Sequence, residues 1–468
     1  MTLCSQVTLA VLWAFSPLSG QAAPTYVDGL RLKAQGKPNI VFILADDLGY
    51  GDLGCYGQKK IKTPNLDRLA AEGMRFTQCY AGSTVCAPSR AVLMTGLHTG
   101  HARIRGNAKV PLEPGDVTVA EVLQEVGYAT CVLGKWGLGD AGTSGHPNRQ
   151  GFAEWYGFLD QTLAHNYYPE SLWRNERERP LARNANGQNG EYAHDAFTTA
   201  ALNFLRVNAP RPFFLYLAYT IPHANNELGQ KTGNGMEVPS QDAYAQEKWP
   251  EPEKNKAAMI SRLDHDVGKL LDRLKELKLD ESTVVFFSSD NGPHKEGGVD
   301  PKFFESSGPL RGIKRDLYEG GIRVPMIVRW PGRVPAGAVS DQMFAFWDFL
   351  PTAAELAGTM PPEKLDGISV LPTLLGRKQT NQHEHLYWEF HEKGFHQAVR
   401  KGDWKAVRHG SQGSLELYNL KTDLAEKENV AATNPEIVAK IEAYLATART
   451  ESKDWPIKDL TDEKPKPQ

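Results

Sequence analysis

The sequence has 468 residues, of which 41% are hydrophobic and 23% are charged, the composition of a folded globular protein. Its 53 Lys and Arg residues nearly balance 56 Asp and Glu residues, which excludes a general basic surface, so we expect no nucleic-acid partner. A chain of this length accommodates a large α/β domain with a smaller second domain.

The N-terminal segment is predicted to direct export. Residues 3–20 carry no charge and lead into Gly20-Gln21-Ala22-Ala23, the small-residue pattern at which signal peptidase cleaves. We therefore expect residues 1–23 to be a signal peptide and the protein to be periplasmic or secreted. Pro17 interrupts the apolar run, and no later stretch approaches ~18 consecutive apolar residues, so we expect no membrane span in the mature chain.

Buried strands alternate with helices along most of the chain. Asn39–Ala45 is a continuous apolar run rich in β-branched residues, which is typical of a strand buried on both faces. Further strands are predicted at Arg75–Tyr80, Ala129–Leu133, Phe213–Tyr219, Thr283–Phe287 and Val324–Val328. Helices are predicted near Pro64, at Pro88–Met94, at Thr118–Glu125 and at Ala257–Leu277. The alternation predicts a large, mostly parallel sheet flanked by helices.

The pattern changes after about residue 378. Short strands separated by turns are predicted at His385–Phe390, Gln397–Arg400, Trp404–Arg408 and Leu415–Leu420, with a helix at Asn434–Thr450. This indicates a small C-terminal antiparallel sheet with one helix. We therefore expect a first domain over residues 36–378, a second over 379–455, and a disordered tail over 456–468.

Polar side chains follow several of the predicted strands directly. Asp46 and Asp47 come after one strand, Asp290 and Asn291 after another, and Lys135 after a third. Ligands of open α/β sheets bind at the carboxyl ends of the strands. Three carboxylates and an amide oxygen suit a hard cation such as Ca²⁺ or Mg²⁺. The alternative is that these residues are solvated loop acids or helix caps.

Cys86 stands at the predicted start of a helix, with Arg90 one turn later. A helix N-terminus stabilises an anion and lowers the pKa of a thiol. The pattern therefore favours a nucleophile or an anion-binding site, and the alternative is a buried structural cysteine.

These motifs occur together in a known family. The run CAPSRAVLMTG around Cys86 resembles the signature C-x-P-S-R-x-x-x-x-T-G of type I, formylglycine-dependent sulfatases. The segments NIVFILADDLGYGDLGCYG, GKWGLG, SSDNGP and LRGIKRDLYEGGIRVPMIVRWPG resemble other family motifs in the same order. The resemblance covers nearly the whole chain. It implies an alkaline-phosphatase-like sandwich, an arylsulfatase-type sulfuric ester hydrolase activity, and a catalytic role for the 36–378 domain.

The resemblance also implies roles for individual residues. Cys86 would be converted by a formylglycine-generating enzyme to formylglycine (3-oxoalanine), whose hydrate attacks sulfur. Arg90 would orient that hydrate, with Asp290 as the base. Lys135, His223 and Lys314 would contact the sulfate or the leaving oxygen. A divalent cation, usually Ca²⁺ with Mg²⁺ as the alternative, would be held by Asp46, Asp47, Asp290, Asn291 and the modified Cys86.

One position departs from the family. Gly137 stands where the family usually has a His, which is assigned to the formylglycine hydroxyl and to the elimination of sulfate. Either another group supplies this base, or turnover is slow, or the protein only binds its ligand. His165 and His146 are the candidate substitutes.

The segment from Ala164 to Asn175 points to a sugar. It mixes aromatic rings with hydrogen-bonding side chains, as carbohydrate sites do, and includes His165 as a candidate substrate contact. We expect a sulfated galactose or N-acetylgalactosamine as substrate, with the 4-position favoured, and aryl sulfates as simpler substrates. The alternative is an exposed loop anchored by Trp173.

Two other functions remain open. The first is a phosphatase or phosphonate monoester hydrolase on the same scaffold, although related phosphatases use Ser or Thr with two zinc ions. The second is a non-catalytic binder of sulfated glycans, which Gly137 suggests.

Overall fold

The computed structural model describes residues 36–458. The predicted signal peptide, residues 1–23, and most of the predicted tail, residues 459–468, lie outside this range. Among the described residues, no helix has the length and apolar character needed to cross a bilayer.

Eleven strands of the described chain form one sheet, and four form a second. The large sheet contains β1 (Asn39–Ala45), β2 (Met74–Tyr80), β3 (Ala129–Lys135), β4 (Glu154–Phe158), β5 (Ser171–Arg174), β6 (Arg177–Pro180), β7 (Phe213–Ala218), β8 (Thr283–Ser289), β9 (Arg323–Arg329), β10 (Ala338–Ser340) and β11 (Phe344–Ala345). Its order is β10-β2-β9-β8-β1-β7-β3-β4-β5-β6, with β11 beside β2. The strands β8, β1, β7, β3 and β4 are parallel, whereas β9 runs antiparallel to both neighbours.

Helices lie on both faces of this sheet, and the last helix packs on the second sheet. They are α1 (Pro64–Ala71), α2 (Cys86–Thr95), α3 (Val119–Glu125), α4 (Ala193–Val207), α5 (Asn226–Thr232), α6 (Glu251–Glu276), α7 (Glu319–Ile322), α8 (Phe349–Ala357), α9 (Leu371–Leu374) and α10 (Pro435–Leu445). Alternate side chains of β1 enter two separate cores. Phe42 packs with the α8 residue Phe349 on one face, whereas Ile43 joins the α6 residue Leu263 on the other. This two-sided burial explains the continuous apolar run.

The second sheet is antiparallel and contains β12 (Leu386–Phe390), β13 (His396–Lys401), β14 (Trp404–His409) and β15 (Leu415–Asn419). Helix α10 packs on it through Ile441 and Leu445. The predicted fold, a mostly parallel sheet flanked by helices plus a small antiparallel sheet with one helix, is confirmed.

Three strands approach each other closely just before Lys135. Gly134 of β3 lies beside Ala218 of β7 and Gly157 of β4. A Cβ atom at Gly134 would stand 1.9 Å from the Ala218 carbonyl oxygen, and one at Gly157 would stand 1.8 Å from the Gly134 carbonyl oxygen. Only glycine fits at these two positions, and the close approach fixes the backbone that carries Lys135.

Candidate active site

The carboxyl ends of four neighbouring parallel strands gather the predicted polar residues. Strand β1 delivers Asp46 and Asp47, β8 delivers Asp290 and Asn291, β3 ends at Lys135, and the loop after β7 carries His223. Helix α2 adds Cys86 and Arg90, and the loop before α7 adds Lys314. All nine of these side chains are buried. The four residues Asp46, Asp47, Cys86 and His223 place one potential ligand atom each within 4.8 Å of one another.

A turn with left-handed backbone brings the carboxylates together. Asp47 has φ of +64°, an uncommon conformation for a non-glycine residue. Its N–H donates to Asp290 Oδ1 at 3.1 Å, and the next N–H, of Leu48, donates to Ser289 Oγ at 2.9 Å. These two hydrogen bonds tie the loop after β1 to the end of β8. The strained turn therefore positions Asp47 against Asp290.

Asn291 supplies an oxygen without a partner. Its Nδ2 donates to Asp47 Oδ1 at 2.6 Å and to the Gly292 carbonyl at 2.9 Å. Its Oδ1 is buried, and no group among the described residues donates a hydrogen bond to it. A buried amide oxygen without a donor is costly. A hard cation would satisfy this oxygen, so the donor set fits Ca²⁺ or Mg²⁺.

Three cationic side chains neutralise the three carboxylates. Arg90 donates from Nε and Nη2 to Asp290 Oδ2 at 3.1 and 2.8 Å and from Nη2 to Asp46 Oδ2 at 3.1 Å. Lys135 Nζ lies 2.7 Å from Asp46 Oδ2. Lys314 Nζ lies 2.8 Å from Asp47 Oδ2. The protein groups alone are thus balanced in charge, and a divalent cation would leave an excess positive charge for an anionic substrate.

The protonation states follow from burial and these partners. Burial opposes ionisation of Asp46 and Asp47, but the ammonium groups of Lys135 and Lys314, respectively, outweigh it and hold the pKa of both carboxyls well below the usual range. Burial and the neighbouring Asp46 raise the pKa of Asp290 to about 6 despite Arg90. Asp290 is therefore the carboxylate of the three that most readily takes a proton.

Cys86 is buried at the first position of α2, with Sγ 3.3 Å from Asp46 Oδ1. Burial and the adjacent Asp46 raise the pKa of its thiol. The prediction that the helix N-terminus would lower this pKa is therefore wrong, because desolvation and a nearby carboxylate exceed the effect of the helix. An unmodified Cys86 is a thiol rather than a thiolate.

Three histidine rings form a stack at the edge of the site. The ring of His223 lies 4.6 Å from that of His165 and 5.9 Å from that of His294, centroid to centroid. His223 Nε2 faces Asp47 Oδ2 at 3.5 Å, and His223 Nδ1 contacts the Ala224 carbonyl oxygen at 2.6 Å. Burial lowers the pKa of His223 well below its usual value, so the neutral ring donates from Nδ1 and leaves Nε2 as an acceptor.

The two candidate substitutes for the His that is missing at position 137 lie in different places. His165 lies in the site, stacked on His223, with Nδ1 3.2 Å from Glu227 Oε2 on α5. Burial and Lys135 lower its pKa. His146 instead caps the turn at Pro147–Arg149 by accepting the N–H of Asn148, a structural contact. Glu227 was not anticipated from the sequence, because nothing near it marks it as a ring partner.

Most of the chain is similar to known proteins. Residues 38–359 match the family described as Sulfatase, and residues 313–451 match one described as N-sulphoglucosamine sulphohydrolase, C-terminal. N-acetylgalactosamine-6-sulfatase of Canis lupus familiaris is 33% identical over 423 residues, covering 84% of this chain and 76% of that protein. N-acetylgalactosamine-6-O-sulfatase of Bacteroides thetaiotaomicron is 30% identical over 504 residues, covering 88% and 93%.

A solved structure shows the same similarity in three dimensions. Ps i-CgsB in complex with k-i-k-neocarrahexaose superposes with a TM-score of 0.77 at 31% identity, covering 90% of this chain and 95% of that one. The match to the Sulfatase family spans more than half of the chain, and the fold agrees over nearly all of the described residues. The chain therefore belongs to the sulfatase family and is a sulfuric ester hydrolase of the arylsulfatase type.

Proposed function

We propose that this protein removes O-sulfate from galactose or N-acetylgalactosamine residues. The observation that carries the proposal is the placement of Lys135 on Asp46, and of Lys314 and His223 on Asp47, in a buried, charge-balanced centre beside Cys86. Such a centre neutralises a small anion and stabilises the charge that develops on sulfate in the transition state. The relatives named above act on N-acetylgalactosamine 6-sulfate, which supports this sugar class.

The residues present fit a divalent cation. Asp46, Asp47, Asp290 and Asn291 would hold Ca²⁺, with Mg²⁺ as the alternative, because they offer only oxygen donors and one of these oxygens has no protein partner. When bound, the cation supplies charge neutralisation for a sulfate oxygen.

The residues also fit a modified Cys86. We propose that a formylglycine-generating enzyme converts Cys86 to 3-oxoalanine, whose hydrate supplies a hydroxyl nucleophile that a thiol cannot provide. Arg90 fixes the position of this residue, since it bonds both to Asp46 beside Cys86 and to the Lys135 carbonyl at 2.8 Å. The mass of the tryptic peptide Phe76–Arg90 from protein made in its native host tests the conversion, because the thiol sulfur is lost.

The remaining site residues bind and orient the substrate. Burial opposes protonation of Lys135 and Lys314, but Asp46 and Asp47, respectively, outweigh it and raise the pKa of each lysine, so both ammonium groups stay protonated. We assign both lysines to the sulfate oxygens. His223 Nε2, which faces Asp47 Oδ2 at 3.5 Å, is assigned to the leaving oxygen of the sugar, and the ring must take up a proton at Nε2 before it can donate to that oxygen.

We place the sugar beside His165. The ring of His165 stacks on His223, and its Nδ1 faces Glu227. It therefore offers an aromatic face and a polar edge to a galacto-configured ring. From the sequence we expected the 4-sulfate, whereas the names of the two N-acetylgalactosamine sulfatases favour the 6-sulfate. We propose N-acetylgalactosamine 6-sulfate as the first substrate to test.

A substrate panel tests the proposal. The panel holds 4-O- and 6-O-sulfated galactose and N-acetylgalactosamine, a glucosamine 6-sulfate, an aryl sulfate and an aryl phosphonate monoester. Sulfate release from galacto-configured members is expected, with loss in Cys86→Ser and retention in Cys131→Ser, a buried cysteine in the middle of β3. Inactivity of formylglycine-containing protein on every sulfated sugar would favour the glycan-binder reading, and preference for the phosphonate would favour the hydrolase alternative.

The export of the chain and its division into domains are also proposed from the sequence. We propose that residues 1–23 direct the chain to the periplasm or the medium and are then removed. We also propose that the catalytic domain spans residues 36–378 and the second domain 379–455. N-terminal sequencing of the protein recovered from its host tests the first, and limited proteolysis tests the second.

A further inference from the structure

The loop after β4 passes directly over Gly137. The N–H of Trp136 donates to the Phe158 carbonyl at 3.0 Å, and the N–H of Gly137 donates to the Leu159 carbonyl at 3.2 Å. These two bonds continue the pairing of β3 with β4 beyond the strand ends. Gln161, two residues further on, is thereby held over the segment that follows Lys135.

The side chain of Gln161 fills the space that a side chain at position 137 would occupy. Gly137 has φ of +75°, and a Cβ atom built on it would stand 1.8 Å from Gln161 Nε2. The glycine and the glutamine are therefore a matched pair: the carboxamide reaches this place only because position 137 has no side chain.

The carboxamide nitrogen has nothing to bind in the described part of the chain. Gln161 Nε2 is buried and has no hydrogen-bond partner there. A buried N–H donor without an acceptor is costly and is seldom retained without a use. The unpaired donor thus indicates that an acceptor comes from outside the protein.

The location of Gln161 indicates where that acceptor binds. It lines a pocket together with Asn107 and Gly137, and Asn107 Oδ1 accepts the N–H of Ala87, the residue after Cys86. On its other side the chain continues to His165, which stacks on His223. Gln161 therefore lies over Gly137, two residues after Lys135, on the loop that leads to the histidine stack.

The backbone around Gln161 is held firmly. Asp160 Oδ1 accepts the N–H groups of Thr162 and Leu163 at 2.7 and 3.0 Å, and Asp160 Oδ2 pairs with Lys109 Nζ at 2.7 Å. These contacts hold the backbone at Gln161 in place, which limits the positions that its carboxamide can occupy.

We propose that Gln161 is a substrate-binding residue, whose carboxamide N–H donates to an oxygen of the sulfate group. The inference rests on the proposed function, since it requires a sulfate ester at this centre. A sulfate oxygen is a strong anionic acceptor, and the neighbouring charged groups are already paired with one another. The glycine at position 137 then serves to admit this donor.

Steady-state kinetics test the assignment. Gln161→Ala is expected to lower kcat/KM about 10- to 100-fold by the same factor for an aryl sulfate and for N-acetylgalactosamine 6-sulfate, because both carry the sulfate. Gln161→Glu, whose side chain has a similar shape but carries a negative charge, is expected to lower kcat/KM further. Gln124→Ala, an exposed glutamine on α3, is the control. No loss, or a loss confined to the sugar substrate, would overturn the assignment.

A binding measurement separates this inference from the proposed function. In the Cys86→Ser background, sodium sulfate is expected to raise the melting temperature relative to sodium chloride at equal ionic strength, and Gln161→Ala is expected to reduce that increase. An unchanged increase in Gln161→Ala would refute the contact. If sulfate has no effect even with Gln161 intact, it is the proposed function that fails, and the contact fails with it.

A double-mutant cycle supplies a second check. Gly137→Ala forces Gln161 out of its place, so the loss in kcat/KM from Gly137→Ala combined with Gln161→Ala should be smaller than the product of the two single losses. Multiplicative losses would mean that the two positions act independently, contrary to the proposal. Should Gly137→Ala fail to fold, the Gln161→Glu result decides alone.

Discussion

A buried pair of glutamates shares one lysine between the two sheets. Lys405 Nζ on β14 lies 3.0 Å from Glu319 Oε1 and 3.5 Å from Glu426 Oε1. Glu319 also accepts from Arg323 at 3.2 Å and from the Tyr80 hydroxyl at 2.8 Å. Glu319 therefore keeps its charge, and Glu426 is the member of the pair that takes a proton.

The pKa values of the pair set the sign of a pH effect. Burial, with Glu319 adding to it, raises the pKa of Glu426 from 4.5 to about 7 despite Lys405. The folded state therefore holds this proton more tightly than the unfolded chain. The resulting stability is fully present below about pH 4.5 and is lost as the pH rises through about 7. At about 1.4 kcal/mol per pKa unit it amounts to about 3 kcal/mol.

The substitution Glu426→Gln isolates this contribution. Glutamine keeps an oxygen that can accept the Glu319 N–H, which Glu426 Oε2 accepts at 2.7 Å, but it cannot ionise. We expect the free energy of unfolding of the variant, minus that of the wild type, to rise by about 2.5 kcal/mol between about pH 5 and pH 8. Urea unfolding followed by tryptophan fluorescence measures both curves.

A nearby exposed glutamate supplies the control for this experiment. Glu428→Gln changes an exposed glutamate two residues away and should leave the difference constant across the same pH range. Parallel curves for Glu426→Gln and the wild type would show that Glu426 ionises normally, and the reasoning about the shared lysine would then be wrong. The pair also matters for the site, because α7 begins at Glu319 and its Gly321 carbonyl accepts the N–H of Gly292 at 3.0 Å, next to Asn291.

Three further predictions follow from the site and its supports. Ca²⁺ should raise the melting temperature of the wild type, and Asn291→Leu should abolish that increase; an equal increase in both would exclude Asn291 as a ligand. Gly134→Ala should destabilise the protein by about 3 kcal/mol or prevent folding, since its Cβ would meet the Ala218 carbonyl at 1.9 Å; a loss under 1 kcal/mol in urea unfolding would contradict the close approach. His165→Ala should raise KM for the sugar sulfate about 10-fold with little change for an aryl sulfate, and equal effects on both would mean that His165 does not contact the sugar.

The strands of the parallel core were predictable because each is buried on both faces. The apolar runs at Asn39–Ala45 and Thr283–Phe287 coincide with β1 and most of β8. The long helix was found, but it begins at Glu251 rather than Ala257, because Pro252 is compatible with the first turn of a helix. Periodicity alone does not reveal that extra polar turn.

Other elements were missed for identifiable reasons. Strands β5 and β6 are four residues each, and β6 is exposed along its length, so no apolar pattern marks them. Helix α4 does carry a helical pattern in Phe197, Ala201 and Phe204, which a window over this segment would have detected. The antiparallel direction of β9 depends on tertiary pairing that a single sequence does not encode.

Some features of the candidate site were likewise predictable from the sequence, and others were not. Positions at strand ends predicted the carboxylates, Lys135 and His223, because the chemistry of a parallel sheet concentrates at one edge, whereas Lys314 came only from the resemblance to the family. The raised pKa of Cys86 was not predictable, since it depends on how deeply the fold buries the thiol. Gln161 was also beyond reach, because its role depends on a glycine 24 positions earlier and on a loop path that no pattern specifies.

The contact among β3, β4 and β7 has a practical meaning for protein engineering. Gly134 and Gly157 stand where a single added carbon atom collides with a neighbouring carbonyl oxygen, whereas the loop at residues 160–165 carries His165, which we propose to contact the sugar. A library intended to change the preferred sugar should therefore keep both glycines and Gln161 and randomise positions 162 and 165. The rigid strands would hold the sulfate chemistry constant while the loop explores new substrates.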